Sequence, residues 1–304
     1  MPSRVLVPTG LQVDQARAEG VPLALNHFEQ IEAVFVPWRL QLRDQCISDF
    51  YFSNLYLFRN AHSYRLHETD RSYLSGLTYD GKAHVFPLFD LSDVPVSYLR
   101  EISRDTDFFY PVVENVVSRL DANQFKFEWI ESDSDYCYVA DNFRFYLGSL
   151  LRKKWYLMGQ LLRAFKPTVQ TLSRTNLNDG FQVLEAWRSE RGIAPLHADE
   201  QACREALQCL DAFSMRASVY YVNEIPIGLL IDQQIAENYS VIRFAKGLDK
   251  FKGIYQYMFH DYCVRHPALN RLNFEQDMGL ANFRQTKRSY QPEKLLKKYR
   301  VFLK

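Results

Sequence analysis

The sequence has few of the residues and none of the patterns that mark a disulfide-stabilised, fibrous or membrane-spanning protein. Its 304 residues include five cysteines, an odd number without any Cys-x-x-Cys spacing, which favours a reduced protein. Glycine and proline number 12 each, too few for a collagen-like or low-complexity chain. No uncharged apolar run approaches the length of about 18 residues that a membrane span needs, and no apolar leader is visible. We therefore expect a globular, cytoplasmic protein, and a peripheral position at the inner membrane face stays open.

Several signatures of common enzyme classes are also missing. The sequence contains no Walker A loop, no Gly-x-Gly-x-x-Gly, no Gly-x-Ser-x-Gly and no His-Glu-x-x-His. His260, Cys263 and His266 are spaced three residues apart, but the last two belong to an apolar helical stripe. We therefore predict no metal site and no thiol chemistry.

What the sequence does contain is enough apolar surface for two cores. Aromatic residues make up 15% of the chain, and apolar residues 47%. Length alone suggests about two domains of roughly 150 residues each. We predict a lead-in over residues 1–20, a first domain over 21–141 and a second over 142–304.

Charge is divided unevenly between the two halves, although the net charge is only +1. Residues 1–142 hold 12 Lys and Arg against 21 Asp and Glu, a net of −9. Residues 143–304 hold 25 against 15, a net of +10. Such asymmetry indicates either an anionic partner for the basic half or docking between the two halves.

The second half reads as a helical start followed by a strand-rich region. Helical spacing runs from Asn142 to Phe165, and Asn223-Glu224 between two apolar runs predicts a hairpin turn. The further predicted elements are strands over 217–222, 225–233, 239–245, 271–276 and 298–303, and helices over 179–191, 199–212, 254–265 and 280–290.

The loop between strand 239–245 and helix 254–265 has the composition of an anion site. Lys246, Lys250 and Lys252 supply positive charge, and Gly253 lets backbone approach a ligand closely. The following helix presents unpaired N–H groups at its positive end. The alternative is a solvated loop whose glycines only turn the chain.

A row of polar residues follows in the next predicted strand. Alternation places Asn273, Glu275 and Asp277 on one side, where Glu275 or Asp277 could act as a general base. The alternative is a strand end whose polar side faces solvent. The helix after it carries Arg284 and Lys287, which form either a phosphate-binding surface or a solvated cationic face.

These motifs have a familiar order and spacing. Three stretches, Lys252–Gln256, Asn273–Leu280 and Lys287–Pro292, together resemble the phosphatidylglycerol lysyltransferase C-terminal-like family of bacterial proteins. Ser48–Arg59 resembles that family's Phe-Thr-Asn-Leu-Phe-type segment, and Gly148–Phe165 its basic helix. The resemblance extends from about residue 25 to residue 303.

The resemblance implies an α/β (α+β) fold of two tandem GNAT-like domains, each a mixed, mostly antiparallel sheet flanked by helices. It also implies an acyl- or aminoacyltransferase. The loop would hold the donor's pyrophosphate through Lys246, Lys250, Lys252, Gly253, Ile254 and Tyr255. The family's Asn-x-Glu-x-Asp-x-Gly box falls on Asn273, Glu275, Asp277 and Gly279, and its downstream lysine falls on Lys287.

The chemistry expected from this combination is attack of an amine or hydroxyl acceptor on a thioester or ester carbonyl. Glu275 or Asp277 would accept the proton, and Lys246, Lys287 or Tyr290 would stabilise the oxyanion or protonate the leaving group. Asn273 and Arg284 are the expected substrate contacts.

The donor would be an anionic one, acyl-CoA or aminoacyl-tRNA, with no tightly bound cofactor, and the acceptor could be a lipid headgroup. The alternative is a non-catalytic GNAT-like protein that binds a nucleotide, RNA or another protein.

Overall fold

A computed structural model describes residues 20–192 and 198–304 of the chain. Within these ranges, the strands fall into two sheets. The strands are β1 (Val21–Pro22), β2 (Arg65–His67), β3 (Tyr73–Leu77), β4 (Ala83–Pro87), β5 (Phe108–Val113), β6 (Phe125–Trp129), β7 (Asp135–Val139), β8 (Thr168–Thr171), β9 (Met215–Val222), β10 (Ile225–Ala236), β11 (Tyr239–Gly247), β12 (Arg271–Asn273), β13 (Lys294–Leu296) and β14 (Lys298–Leu303).

Helices precede, connect and flank these strands. The α-helices in the described ranges are α1 (Phe28–Leu42), α2 (Phe52–Leu57), α3 (Val96–Ile102), α4 (Glu114–Val117), α5 (Asp141–Phe145), α6 (Arg152–Ala164), α7 (Leu177–Glu190), α8 (Ala198–Gln208), α9 (Ile254–Arg265) and α10 (Ala281–Arg288). None of them combines the length and the apolarity that crossing a bilayer requires.

The chain divides into two compact units, and each unit is built from separate stretches of the sequence. Among the described residues, unit 1 comprises 20–34, 59–130 and 298–304, and unit 2 comprises 35–58, 131–192 and 198–297. The boundary predicted between residues 141 and 142 therefore lies inside unit 2. The reason is strand pairing, because β7 is hydrogen-bonded between β12 and β13, whereas β14 joins the sheet of unit 1.

The sheet of unit 1 has the strand order β1-β2-β3-β4-β5-β14-β6. Its strand pairs are antiparallel except for β4 with β5. An apolar cluster lies against it, formed by Val85, Leu91, Leu99, Phe109, Val112, Phe125 and Val301. Burial of such side chains contributes about 1.5–3 kcal/mol each.

The sheet of unit 2 has the order β13-β7-β12-β11-β10-β9-β8. It too is antiparallel except for one pair, β11 with β12, which α9 connects as a crossover. The prediction of two mixed, mostly antiparallel sheets is therefore confirmed.

Local sequence signals explain the best-predicted elements of unit 2. Asn223 and Glu224 both have positive φ, 46° and 66°, which is the backbone of a two-residue hairpin turn between β9 and β10. Helix α9 has the predicted bounds, and its buried side chains include Met258, Phe259 and Tyr262. The stripe therefore faces the sheet, as its spacing predicted.

Two predicted elements are shorter than expected. The helix predicted over 142–165 is interrupted, since Tyr146 (φ 46°) and Gly148 (φ 85°) are left-handed and separate α5 from α6. The strand predicted over 271–276 ends at Asn273, because Glu275 also has positive φ (57°) and cannot extend it.

Candidate active site

The candidate site lies in unit 2, where the parallel strands β11 and β12 stop pairing. They are paired from Tyr239 with Arg271 to Val241 with Asn273. Beyond that point β11 continues to Gly247, whereas β12 ends. Two charged side chains follow directly, Arg243 on β11 and Glu275 after β12.

Glu275 forms an ion pair with Arg243 at this point. The Nη1 atom of Arg243 donates closely to Oε1 of Glu275, and Nδ2 of Asn54 donates to the same oxygen at 3.1 Å. Among the residues that the structure describes, none donates to Oε2. The Glu275 side chain is 18% exposed, so this second oxygen belongs to a carboxylate that solvent still reaches.

Arg243 is held rigidly from the opposite side. Its side chain is only 1% exposed, and its Nε and Nη2 atoms donate to Oε1 of Gln233 at 3.1 and 2.9 Å. Its Nη1 and Nη2 atoms also donate to the carbonyl oxygen of Ser48 at 3.2 and 3.3 Å. Ser53 donates to the same Gln233 oxygen at 2.8 Å. The cation is thus fixed in place by neutral oxygens as well as by its carboxylate partner.

A second buried carboxylate, Asp135, ties segment 48–54 to the sheet. Its Oδ2 atom accepts from the backbone N–H of Ser48 at 2.6 Å and from Nδ2 of Asn273 at 2.8 Å. The hydroxyl of Ser48 donates to Oδ1 at 3.1 Å. Asp135 is fully buried, and its hydrogen bonds mark it as a structural group.

Burial and neighbouring charge act on Glu275 in opposite directions. Burial raises the pKa of its carboxyl above the ordinary value, and the nearby Asp135 adds to that rise. Arg243 opposes the rise through its charge and its hydrogen bond. The net effect is a raised pKa, which makes the carboxylate a stronger proton acceptor than an exposed glutamate.

The turn that carries Glu275 is stabilised by two side chains. Oδ1 of Asn273 accepts the backbone N–H of Glu275 at 2.6 Å. Nζ of Lys287 donates to the carbonyl oxygens of Phe274, Glu275 and Gln276 at 2.5, 3.0 and 2.6 Å. Asn273 and Lys287 therefore position Glu275 in its left-handed conformation.

Asp277 lies on the same turn but is fully engaged. It is completely buried, and Arg284 donates to both of its oxygens, at 2.8 and 3.0 Å. Tyr136 donates to Oδ2 at 2.7 Å, and the N–H of Gly279 donates to Oδ1 at 2.9 Å. Burial alone would raise the pKa of Asp277, but the hydrogen bonds from Arg284 and Tyr136 lower it below the ordinary value.

The lysine and tyrosine of the predicted pyrophosphate loop contact other parts of unit 2. Lys246 is 6% exposed, forms a close ion pair with Asp199 and lies 4.0 Å above the ring of Trp187. The N–H of Gly247 donates to Oη of Tyr255 at 3.1 Å, and this hydroxyl donates to the Gly247 carbonyl at 3.3 Å. A donor phosphate at this loop would have to replace these contacts.

Gly253 shows why the loop needs a glycine. It has φ 93°, and a Cβ placed there would lie 2.1 Å from the carbonyl oxygen of Leu157 on α6. The close approach that glycine permits is therefore to a helix of the same unit. Ile254 beside it is buried, whereas Lys250 and Lys252 are exposed.

Tyr290 lies in an aromatic cluster rather than beside Glu275. Its hydroxyl accepts from Nε2 of Gln256 at 2.8 Å, and its ring contacts those of Phe143 and Phe274. Nζ of Lys154 lies 3.9 Å above the ring. Burial raises the pKa of Tyr290.

Sequence reasoning missed the partners that make Glu275 distinctive. Arg243 and Gln233 lie in strands that otherwise read as apolar, and a charged or amide side chain there is a signal of a buried polar network. Asn54 and Ser48 lie in the segment that had drawn attention only through its aromatic residues and its resemblance. Across the described residues, no group of three or more metal-ligating side chains is found.

Comparison with known structures identifies the fold. The chain superimposes on a conserved protein of unknown function from Bacteroides thetaiotaomicron VPI-5482, with a TM-score of 0.76 and 19% identity, covering 94% of this chain and 99% of the other. The C-terminal domain of a putative lysylphosphatidylglycerol synthetase from Agrobacterium fabrum gives a TM-score of 0.57 at 12% identity, covering 89% and 92%. L-PGS from Bacillus licheniformis gives 0.53 at 14%, covering 82% and 90%.

The fold of two mixed sheets with flanking helices is the one that this chain shares with these structural relatives. The sequence family described as phosphatidylglycerol lysyltransferase, C-terminal, matches residues 41–302. The chain belongs to this family. A comparison with curated proteins finds no sequence match.

Proposed function

We propose that the protein transfers an aminoacyl group from the ester of a charged tRNA to an amine or hydroxyl acceptor, with Glu275 as the general base. The observation that carries the proposal is the Glu275 carboxylate, which has one oxygen bound by Arg243 and Asn54 and the other without a described donor. It combines partial exposure with a raised pKa, as a general base requires.

The proposed step is ordinary ester aminolysis or transesterification. The acceptor oxygen or nitrogen attacks the carbonyl carbon, while Oε2 of Glu275 takes the acceptor's proton. The bond between that carbon and the ribose oxygen of the tRNA then breaks, and the same proton passes to the leaving oxygen. Arg243 stabilises the ionised form of Glu275 before the step and lies next to it throughout.

The contacts of loop 246–255 favour an ester donor over acyl-CoA. Lys246 is paired with Asp199, and the hydroxyl of Tyr255 occupies the N–H and carbonyl of Gly247. A pyrophosphate would have to displace both contacts. The +10 charge of residues 143–304 supports a polyanionic donor such as tRNA.

The remaining site residues then act as positioning residues. Lys287 and Asn273 hold the Glu275 turn, and Asp277 with Arg284 anchors its far end. Their contribution comes through the geometry of Glu275 and not through direct contact with the reacting atoms.

A transfer assay that compares the unaltered protein with Glu275→Gln tests the proposal. Total tRNA charged with labelled amino acids is incubated with phosphatidylglycerol vesicles and, separately, with soluble amines, and label leaving the tRNA for the acceptor is measured. Glu275→Gln should lower the transfer rate by about 10²- to 10⁴-fold and leave the Kd for tRNA nearly unchanged. Glu237→Gln, on the exposed turn between β10 and β11, is the matched control and should transfer normally.

Two results would contradict the proposal in different ways. An unchanged rate in folded Glu275→Gln would remove the base assignment. Label moving from acetyl-CoA, with coenzyme A but not tRNA raising the melting temperature, would replace the donor. Ligand at 100 times its Kd should stabilise the fold by about 2.7 kcal/mol, so the binding comparison is readable in a melting experiment.

A further inference from the structure

Segment 145–163 of unit 2 exposes an unusual number of large apolar side chains. Fifteen such side chains are exposed in the described ranges, and six of them fall within these 19 residues. Leu147 and Leu150 are 74% and 69% exposed, far above what a packed leucine shows. The six are Phe145, Leu147, Leu150, Trp155, Tyr156 and Leu162. We call them, with the exposed Arg152, Lys153 and Arg163, the apolar–basic face.

The same stretch carries charge of one sign. From Phe143 to Arg174 the sequence has seven basic residues and no acidic one. Arg152, Lys153 and Arg163 are exposed on α6, and Arg163 lies over the ring of Tyr156 at 5.9 Å. The apolar side chains are thus interleaved with cations.

Trp155, Tyr156 and Leu162 lie on α6, which is packed on its other side, and the other three exposed apolar side chains precede this helix. Met158 and Leu161 are buried, and the backbone of α6 at Leu157 lies against Gly253. Lys154 is directed to the ring of Tyr290, and burial lowers the pKa of its ammonium group to about 8. One face of α6 therefore anchors it, and the opposite face is left uncovered by the described residues.

We propose that the apolar–basic face docks the protein on the surface of an anionic lipid bilayer. Trp and Tyr favour the interface between lipid and water, leucines enter its apolar edge, and Lys and Arg bind lipid phosphates. Charge complementarity selects an anionic over a neutral surface. RNA would use the cations and aromatic rings but would gain little from exposed leucines, so the leucines distinguish the two partners.

Vesicle co-sedimentation of the full chain tests this docking without any transfer reaction. We expect binding to vesicles of phosphatidylcholine with a third phosphatidylglycerol, much weaker binding to pure phosphatidylcholine, and loss of binding at high salt. Leu147→Asp/Leu150→Asp should weaken binding by about tenfold or more, because both side chains leave the apolar edge. Leu40→Asp/Ile225→Asp, at apolar positions that are 72% and 59% exposed, makes the same change in charge, is the control and should bind normally.

A charge variant separates the electrostatic part. Arg152→Glu/Lys153→Glu should weaken binding to the anionic vesicles by about tenfold or more. Lys82→Glu/Arg104→Glu, at exposed positions of unit 1, makes the same change in net charge and should leave it intact.

Three outcomes would overturn the proposal. One is absence of binding by the folded, unaltered protein, and another is equal binding by the leucine variant. The third is an RNA surface, revealed if the charge variant loses tRNA binding in a filter assay while neither variant affects vesicle binding. All variants change exposed residues, and a melting curve checks that each is folded.

Discussion

Two regions follow the parallel strands of unit 2, the loop 246–255 after β11 and the turn with Glu275 after β12. The polar groups of the first are paired within the protein, whereas the second keeps one that is only partly paired. After β11, Lys246 and Tyr255 are satisfied by Asp199 and by Gly247. After β12, Glu275 keeps one carboxylate oxygen without a described donor. Both regions have the composition of a ligand site. The difference teaches that composition alone does not identify a site, because a group already paired within the protein has little to offer a ligand.

The largest effect on stability should come from Asp277, which anchors the turn of the second region. Asp277→Asn removes the charge from a fully buried carboxylate, breaks the ion pair with Arg284 and replaces one of the two acceptor oxygens by an amide nitrogen. We expect the free energy of unfolding to fall by about 3 kcal/mol or more, because the buried side chain loses charge-assisted hydrogen bonds worth about 1.5–3 kcal/mol each. Urea unfolding at neutral pH measures the change.

The same variant has a pH signature. Because the folded protein lowers the pKa of Asp277, its stabilisation is present above the ordinary aspartate value and is lost as pH falls through the lowered pKa. Asp277→Asn should therefore flatten this part of the acid limb of the stability curve. A variant as stable as the unaltered protein would show that the turn does not depend on this pair.

A somewhat smaller effect is expected in the first region at Gly253. Gly253→Ala combines positive φ with a Cβ that would lie 2.1 Å from the Leu157 carbonyl oxygen. We expect a loss of about 2–3 kcal/mol, measured by the same urea unfolding. Gly148→Ala is the matched control, since φ is 85° and nothing lies within 4 Å of the added Cβ.

Gly148→Ala should lower the free energy of unfolding by only about 1 kcal/mol, because the added Cβ strains the backbone but contacts no other atom. Equal losses for the two glycine variants would mean that α6 is not held so close to the loop.

The smallest effect should come from Tyr255→Phe, which frees the N–H and carbonyl of Gly247. We expect a loss of about 1 kcal/mol, with no shift of the melting temperature on adding coenzyme A. Tyr156→Phe, whose ring is largely exposed, controls for the loss of a hydroxyl. A new shift with coenzyme A would mean that the tyrosine covers a working phosphate site, and the first region would regain its predicted role.

Local signals in the sequence predicted the elements that depend on neighbouring residues. The Asn223-Glu224 turn and the bounds of α9 follow from turn chemistry and helical spacing. At Tyr146 and Glu275 a single residue with positive φ ends a helix or a strand, but the periodic pattern of the sequence continues past it. The helix and the strand predicted there are therefore longer than the observed ones. The resemblance supplied the tandem fold, which no local pattern contained.

The candidate site was only partly within reach of the sequence. Glu275 stood out as an acid beside polar neighbours, but alternation placed Asp277 in the same row and gave no reason to separate them. The separation comes from Arg243, which is 32 positions away along the chain, and from Asn54, which is 221 positions away. Pairings at such distances follow from strand order, which a single sequence does not state.

What the sequence determined by itself is the Asn223-Glu224 turn, helix α9 and the unequal charge, since turn chemistry and periodicity act locally and composition acts over the whole chain. Tertiary structure alone decided which polar groups remain available. Lys246 and Asp277 were paired on folding, whereas Glu275 was left with an oxygen to spare. The physical reason is that a buried polar group must find a partner, and the partner is chosen by proximity in space and not by order in the chain.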